Sequence, residues 1–221
     1  MQNVLRGLSV WVILATSLAG AWGQVGEAPS MNRAQALQAL AQPGPAARYA
    51  GVERLAELGT MPDADQVALR LHDADEQVRE AAGNAMWQIW SRSGDKAIDA
   101  QYQQALLLME AGRMGEALAA FSAVIQKRPA FAEAWNKRAT VYFLVGELSL
   151  SLKDCDQVMA RNPHHFGALS GYGQIYLQLG ELEKAQQYFE RALKVNPNLP
   201  GAVAAVEALQ RQLGKGRRQT I

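Results

Sequence analysis

Cys155 is the single cysteine of this 221-residue chain, and the adjacent histidines His164 and His165 follow it within one short segment. A thiol that meets an imidazole can become a thiolate, the form that does covalent and redox chemistry. Asp154 and Asp156 flank the cysteine. Two residues apart on a helix, they diverge, whereas paired-carboxylate catalysis needs them to converge. Neighbouring histidines do not converge on one metal ion either. No Cys, His, Asp or Glu follows them at ligand spacing, and His72 is remote in sequence. A lone cysteine also excludes an internal disulfide and a structural zinc site made of cysteines. The chain has no glycine-rich phosphate loop, nucleophile elbow or zinc-protease histidine pair. No metal and no cofactor is therefore expected. Catalysis, if present, would rest on Cys155 and His164.

What surrounds Cys155 decides between these uses, and the surroundings repeat. Pro129, Pro163 and Pro197 lie 34 residues apart, as do Gly112, Gly146 and Gly180. Small residues recur in the same register at Ala105, Ala139 and Gly173, and at Ala117, Ser151 and Ala185. Phe121 and Phe189 share a column with Cys155 between them. The glycines suit the left-handed residue that lets a chain leave a helix, and the prolines stop the next one. Leu169, Tyr172, Gly173 and Tyr176 make one helical stripe, and Ala185, Phe189 and Ala192 another. Each period is thus a helix, a turn and a second helix. Such a hairpin buries its apolar face only by stacking on its neighbours. Cys155 stands in an inward column, where a small buried hydrophobe is the expectation.

These columns resemble the tetratricopeptide repeat. Ala134-Trp135-Asn136-Lys137-Arg138-Ala139-Thr140-Val141-Tyr142 through Pro163 is the best copy, and Glu181 to Phe189 is another. The first copy has Gln101 and Leu108 where the family has aromatics, and the second has Ser151 and Cys155 where an alanine and an aromatic are usual. The resemblance implies an all-α fold: a right-handed α-α superhelix of hairpins over 98–131, 132–165 and 166–199, in an array reaching from 96 to 213. A closing helix, Pro200 to Leu213, carries Ala202, Val203, Val206, Leu209 and Leu213 on one face, with Gly214 at its end and a basic tail beyond. In the family, the first helix of each repeat lines a concave face that holds peptides. Carried over column by column, that face takes Tyr102, Leu106 and Met109 from the first repeat. It takes Asn136, Thr140 and Phe143 from the second, and Ser170, Gln174 and Leu177 from the third. Each trio runs i, i+4, i+7 and shares a face. Lys137 and Arg138 lie close by and would attract acidic partners. The lysine–asparagine clamp by which some relatives grip a terminal carboxylate is absent, since Tyr102, Leu106, Gly167 and Gly171 stand in its place. The resemblance implies a non-catalytic scaffold for a protein or peptide partner.

Residues 31–95 are helical in a different pattern. Ser30 is the expected cap of a first helix over 31–41, followed by helices over 46–58, from Pro62, and over 75–90. Arg48-Tyr49-Ala50 lies 31 residues before Arg79-Glu80-Ala81, and Leu55 and Leu58 lie 31 before Met86 and Ile89. The stretch Leu71 to Ala82 resembles a HEAT-like repeat. Ser91 to Asp95 is the expected seam between the two arrays, and Trp87 and Trp90 would cover it. Ahead of them, Arg6 precedes an apolar run over 7–19 and the small residues Ala19, Gly20, Ala21 and Gly23. That is the order of a secretory signal peptide, cleaved after Ala21 or Gly23, with 24–30 as linker. Its cleavage would leave no membrane span, and the expected location is periplasmic or secreted, in cell-envelope assembly or maintenance. The other reading keeps the segment as an anchor for a structural, self-assembling solenoid.

Composition agrees with stacked helices. Hydrophobic residues make up 49% and aromatics 7%, and alanine and leucine favour helix over sheet. The net charge is +1, too balanced for a nucleic-acid surface. Self-association stays open at this level.

Overall fold

Asn32, not Ser30, caps the first helix. Its side chain accepts from the Gln35 amide while Gln35 answers the Asn32 amide, so both exposed donors are satisfied. The computed structural model describes residues 31–219. The expected signal segment, linker and Ser30 lie outside the described residues. Helix α1 spans Arg33–Ala39, α2 Pro45–Leu58, α3 Ala64–Ala68 and α4 Glu76–Trp90. Two short 3-10 turns, Met61–Asp63 and Leu69–His72, flank α3. Helix α2 packs on α4 over a core that includes Val52, Leu55, Leu71, Val78, Ala82, Met86 and Ile89. Leu58 does not share the burial of its counterpart Ile89: it stays 38% exposed, against 0%.

The 31-residue echo has a physical meaning at Arg48 and Arg79. Arg48 donates to the carbonyls of Gln42 and Pro43, and Arg79 to those of Asp73 and Ala74. Each arginine thus ties its helix to the loop just before it. Each then reaches onward to the next layer. Arg48 grips the Asp73 carboxylate with two nitrogens at 2.7 Å, and Arg79 donates to Asn198 at 3.1 Å.

The repeat region follows as α5 Lys96–Glu110, α6 Met114–Lys127, α7 Ala132–Leu144, α8 Leu148–Arg161, α9 Phe166–Gln178 and α10 Leu182–Val195. Helix α11, Pro200–Gln219, closes the stack. It does not stop at Gly214 but continues through it, so the basic tail is largely helical in backbone. Gly112, Gly146 and Gly180 have φ of 71°, 83° and 77°. In all three, the glycine amide and the next amide turn back to carbonyls of the preceding helix, as in Gly112 to Met109 and Arg113 to Leu108. Only glycine takes that φ without strain. Helices α5, α7 and α9 lie side by side, and each hairpin packs on the next, giving an α-α superhelix with no strand among the described residues.

The small columns are where helices touch. A Cβ on Gly173 would sit 2.7 Å from the Phe189 ring. Ser151 occupies its alanine column because its hydroxyl donates to the Ala139 carbonyl at 2.7 Å, which satisfies a buried polar group. Arg138 is not in the groove. It holds the buried Asp154 through two bonds of 2.7 and 2.8 Å and also donates to Ser122, stapling α6, α7 and α8. Residues from Met31 onward form one compact unit, so the N-terminal helices and the repeats share a body.

Gly171, two residues before Gly173 and on another side of α9, has only Cys155 Sγ at 3.7 Å from a Cβ, an ordinary contact. Gly173→Ala should therefore cost about 1–3 kcal/mol through overpacking against Phe189. Gly171→Ala should be neutral or stabilising by up to about 1 kcal/mol, because it removes helix-interior glycine. Urea denaturation of the two variants checks this, and equal effects would contradict the packing.

Candidate protein-binding face

The concave strip is built by α5, α7 and α9, and α4 lies against part of it. Trp90 is buried and stacks on His165 with ring centroids 4.2 Å apart and planes 20° from parallel. Trp87 packs edge-on against His165 and Phe166, at 5.6 and 5.2 Å. A Cβ on Gly167 would fall 2.3 Å from the Trp87 ring, so the first turn of α9 accepts this tryptophan only as glycine. Farther along α4, Arg79 meets Asn198, and the Asn198 amide donates to the Leu71 carbonyl at 2.8 Å. His72 contacts the Val195 carbonyl. The tryptophans thus cover the expected seam, but against the second and third repeats rather than the first alone.

Under Trp90 lies a buried ionic cluster that the sequence reasoning missed. Glu133 and His165 both have fully buried side chains and meet at 2.8 Å. The Ala168 amide donates to His165 Nδ1, which leaves Nε2–H to donate to Glu133. A neutral imidazole therefore suffices for the bond. Asn136 Nδ2 and Lys137 Nζ complete the carboxylate's surroundings, the latter at 3.3 Å. Burial pushes the Glu133 carboxyl up. The Lys137 charge and the bonds from His165 and Asn136 outweigh it and hold the group below the usual range. Lys137 also sits 5.3 Å from the Trp87 ring centroid. The cost shows nearby: Trp90 Nε1 and the Tyr102 hydroxyl are buried without a hydrogen-bond partner. Burial, then the Glu133 charge, raises the Tyr102 phenol well above its ordinary value.

Two of the nine expected groove residues are corrected by this arrangement. Tyr102 is 0% exposed, packed against Phe121 and Phe131, and meets no partner in the folded chain. Asn136 is buried and committed to Glu133. Lys137 and Arg138 are spent inside the protein and do not form an acid-attracting patch. The remaining seven are accessible. Leu106, Met109, Thr140, Phe143, Ser170 and Leu177 are half-buried and Gln174 is exposed. The Thr140 hydroxyl donates back to the Asn136 carbonyl. Beside this strip, a cleft of about 320 Å³ opens between α4 and α5, lined by Trp87, Gln88, Ser91, Arg92, Asp99 and Gln103.

Cys155 is buried with Ala139, Tyr172 and Ile175, in the inward column expected for it. Burial, then the charges of Asp154 and Asp156, pushes its thiol up to about 12. That favours the protonated, poorly nucleophilic form at neutral pH. His164 is exposed, whereas Cys155 is not. Asp154 and Asp156 point to different partners, Arg138 and the Tyr172 hydroxyl. Among the described residues, no helix is long and apolar enough to cross a membrane.

The Glu133 shift carries a sign. A carboxyl depressed in the folded state adds stability that is present above its unfolded value and lost as pH falls through the folded one. Acidification below about 4.5, the ordinary glutamate value, should therefore begin to loosen the Trp90 seam. Glu133→Gln should destabilise at neutral pH by about 1.5–3 kcal/mol, the worth of hydrogen bonds to a charged group. It should also flatten that acid dependence. Tryptophan fluorescence along a pH series reads both effects. An unchanged acid profile in the variant would contradict the assignment.

Comparison with known proteins places this architecture. Profiles of the tetratricopeptide repeat match residues 102–158 and 146–213, which together span half the chain. A TPR repeat-containing protein of Rhizobium etli is 31% identical over 96 residues, 43% of this chain and 47% of the relative. The chain thus spans about half the length of the curated relative it matches. The first TPR of Spaghetti (RPAP3), solved with an HSP90 peptide, is similar at 22% identity, with a TM-score of 0.51 over 53% of this chain and 93% of that one. The first TPR domain of human RPAP3 is similar at 21% identity, TM-score 0.51, over 55% and 95%. The Sgt2 TPR domain of Aspergillus fumigatus is similar at 16% identity, TM-score 0.53, over 56% and 83%. These structures speak for the fold, and both repeat profiles begin beyond α4. With its three glycine-turned, proline-stopped hairpins and closing helix, the chain belongs to the tetratricopeptide repeat family.

Proposed function

We propose that this chain is an exported, non-catalytic scaffold that holds a protein or peptide partner on the open part of its concave face, in assembly or maintenance of the cell envelope. The observation that carries the reading is the strip left open beside α4. Leu106, Met109, Phe143 and Leu177 remain partly accessible on successive repeats, with Gln174 and Ser170 among them. Apolar side chains in a concave surface with a few polar groups are what a bound segment buries and bonds. A peptide is seated on the TPR domain of Spaghetti, a protein of similar fold. Export rests on the charged, apolar and small-residue order of residues 1–23.

Capture tests the binding reading. The purified full chain, fixed to a resin, should retain the same protein from an envelope extract of its source cells. Leu106→Asp and Phe143→Asp should lose it while keeping native circular dichroism. Each should weaken binding by about tenfold or more if these residues anchor the partner. Capture that survives both changes would move the site elsewhere. Mass measurement of the mature chain tests export: a product lacking residues 1–21 or 1–23 is expected, and an intact N-terminus would contradict it.

A further inference from the structure

Stacking gives each hairpin a leading face, and α5 keeps its own uncovered. The 34-residue columns make this visible. Ala134, Ala168 and Val141 are 0% exposed and Ile175 1%. The preceding hairpin covers them: Ala134 and Val141 share a core with Phe121 and Val124, and Ile175 with Ala139 and Cys155. In α5 the same columns hold Ala100 and Leu107. Ala100 is exposed, and Leu107 is 57% exposed. A solenoid needs such an end closed by an element with a polar outer face. Helix α11 closes the far end, packed on Ala185 and Phe189. Helix α4 does not close the near one, because it is seated on His165, Phe166 and Asn198 in later repeats.

The bare face is wider than one leucine. Ala100, Gln104, Leu107 and Ala111 lie at i, i+4, i+7 and i+11, and all are exposed. Lys96 and Glu110 lie beside this stripe at opposite ends of the helix, and both are exposed. Other charges nearby are committed. Asp95 caps the helix, and Asp99 holds Ser93. Arg92 holds the carbonyls of Ala56 and Gly59, and Arg113 holds Glu116. Lys96 stands in the first turn of α5 and Glu110 in the last, so each opposes the dipole of its own helix.

We infer that this face binds the same face of a second copy of the chain, α5 against α5, antiparallel about a two-fold axis beside Gln103 and Gln104. The residue spacing favours this occupant because the face complements itself. Antiparallel alignment about that point sets Leu107 against the second copy's Ala100, a large side chain against a small one. It sets Lys96 beside the second copy's Glu110, and Glu110 beside its Lys96. Each charge then lies at the end of the facing helix whose dipole favours it. Both contacts occur twice, as an isologous interface requires. The groove residues Leu106 and Met109 lie on another side of α5, so pairing leaves the concave strip open.

Sedimentation equilibrium of the purified chain from about 1 to about 200 μM tests this, a range suited to a small, weak interface. The average mass should rise from monomer to dimer and no further, because a two-fold contact closes on itself. Leu107→Glu should abolish the rise while keeping native circular dichroism. Lys96→Glu and Glu110→Lys should each weaken association about tenfold, and the double exchange should restore it. Each single exchange suits the helix dipole better than the native residue, so lost association would not reflect lost folding. A monomer at every concentration would overturn the inference. So would a dimer indifferent to Leu107→Glu, or a double exchange as weak as the singles.

Discussion

A carboxylate removed from water must be surrounded by donors, and Glu133 imposes that demand on this molecule. It draws His165 from 32 residues away, Asn136 and Lys137 from its own helix, and through them the aromatic pair of α4. The Ala168 amide fixes the imidazole tautomer, so the ring lies flat where Trp90 can cover it. The result joins the N-terminal helices to the second and third repeats. It is bought with two unpartnered buried donors, Trp90 Nε1 and the Tyr102 hydroxyl. Aromatic contact and the satisfied carboxylate together offset that cost.

This join changes what the superhelix offers. Without α4, the first turn of α9 would lose its cover. Here Gly167 is a contact point for Trp87, whereas Tyr102 is buried within the repeats by Phe121 and Phe131. Specificity in such a protein is set partly by what its own chain has already occupied. The Arg48 and Arg79 pattern shows how the join is continued. The first arginine finds Asp73 within the N-terminal helices, and the second finds Asn198 in the loop after α10.

The repeat architecture was legible because it is written in registered columns. Three glycines with positive φ, the small residues at helix crossings and the terminal prolines each have one physical job and recur every 34 residues. Cys155 was placed in the interior by the same logic. That each i, i+4, i+7 trio shares a face was legible too, from helix geometry alone. What covers that face was not. Docking of α4 is a single long-range event without a period, and its traces in sequence were two tryptophans and a glycine. Glu133 and His165 gave no local sign of partnership, because their convergence exists only once hairpins stack. Arg138 looked like surface charge until Asp154, on the next helix, came opposite it. The end of α11 was misplaced because Gly214 stands where a helix usually stops, whereas this helix runs on to Gln219.

The seating of α4 against the repeats is the claim on which both the corrected groove and its remaining opening rest. Nuclear Overhauser contacts between the Trp90 indole and the His165 ring test it most directly. With centroids 4.2 Å apart, strong ring-to-ring cross-peaks and ring-current-shifted His165 protons are expected. A His165 ring at its free chemical shift, with no cross-peak to Trp90 in the folded protein, would contradict the account.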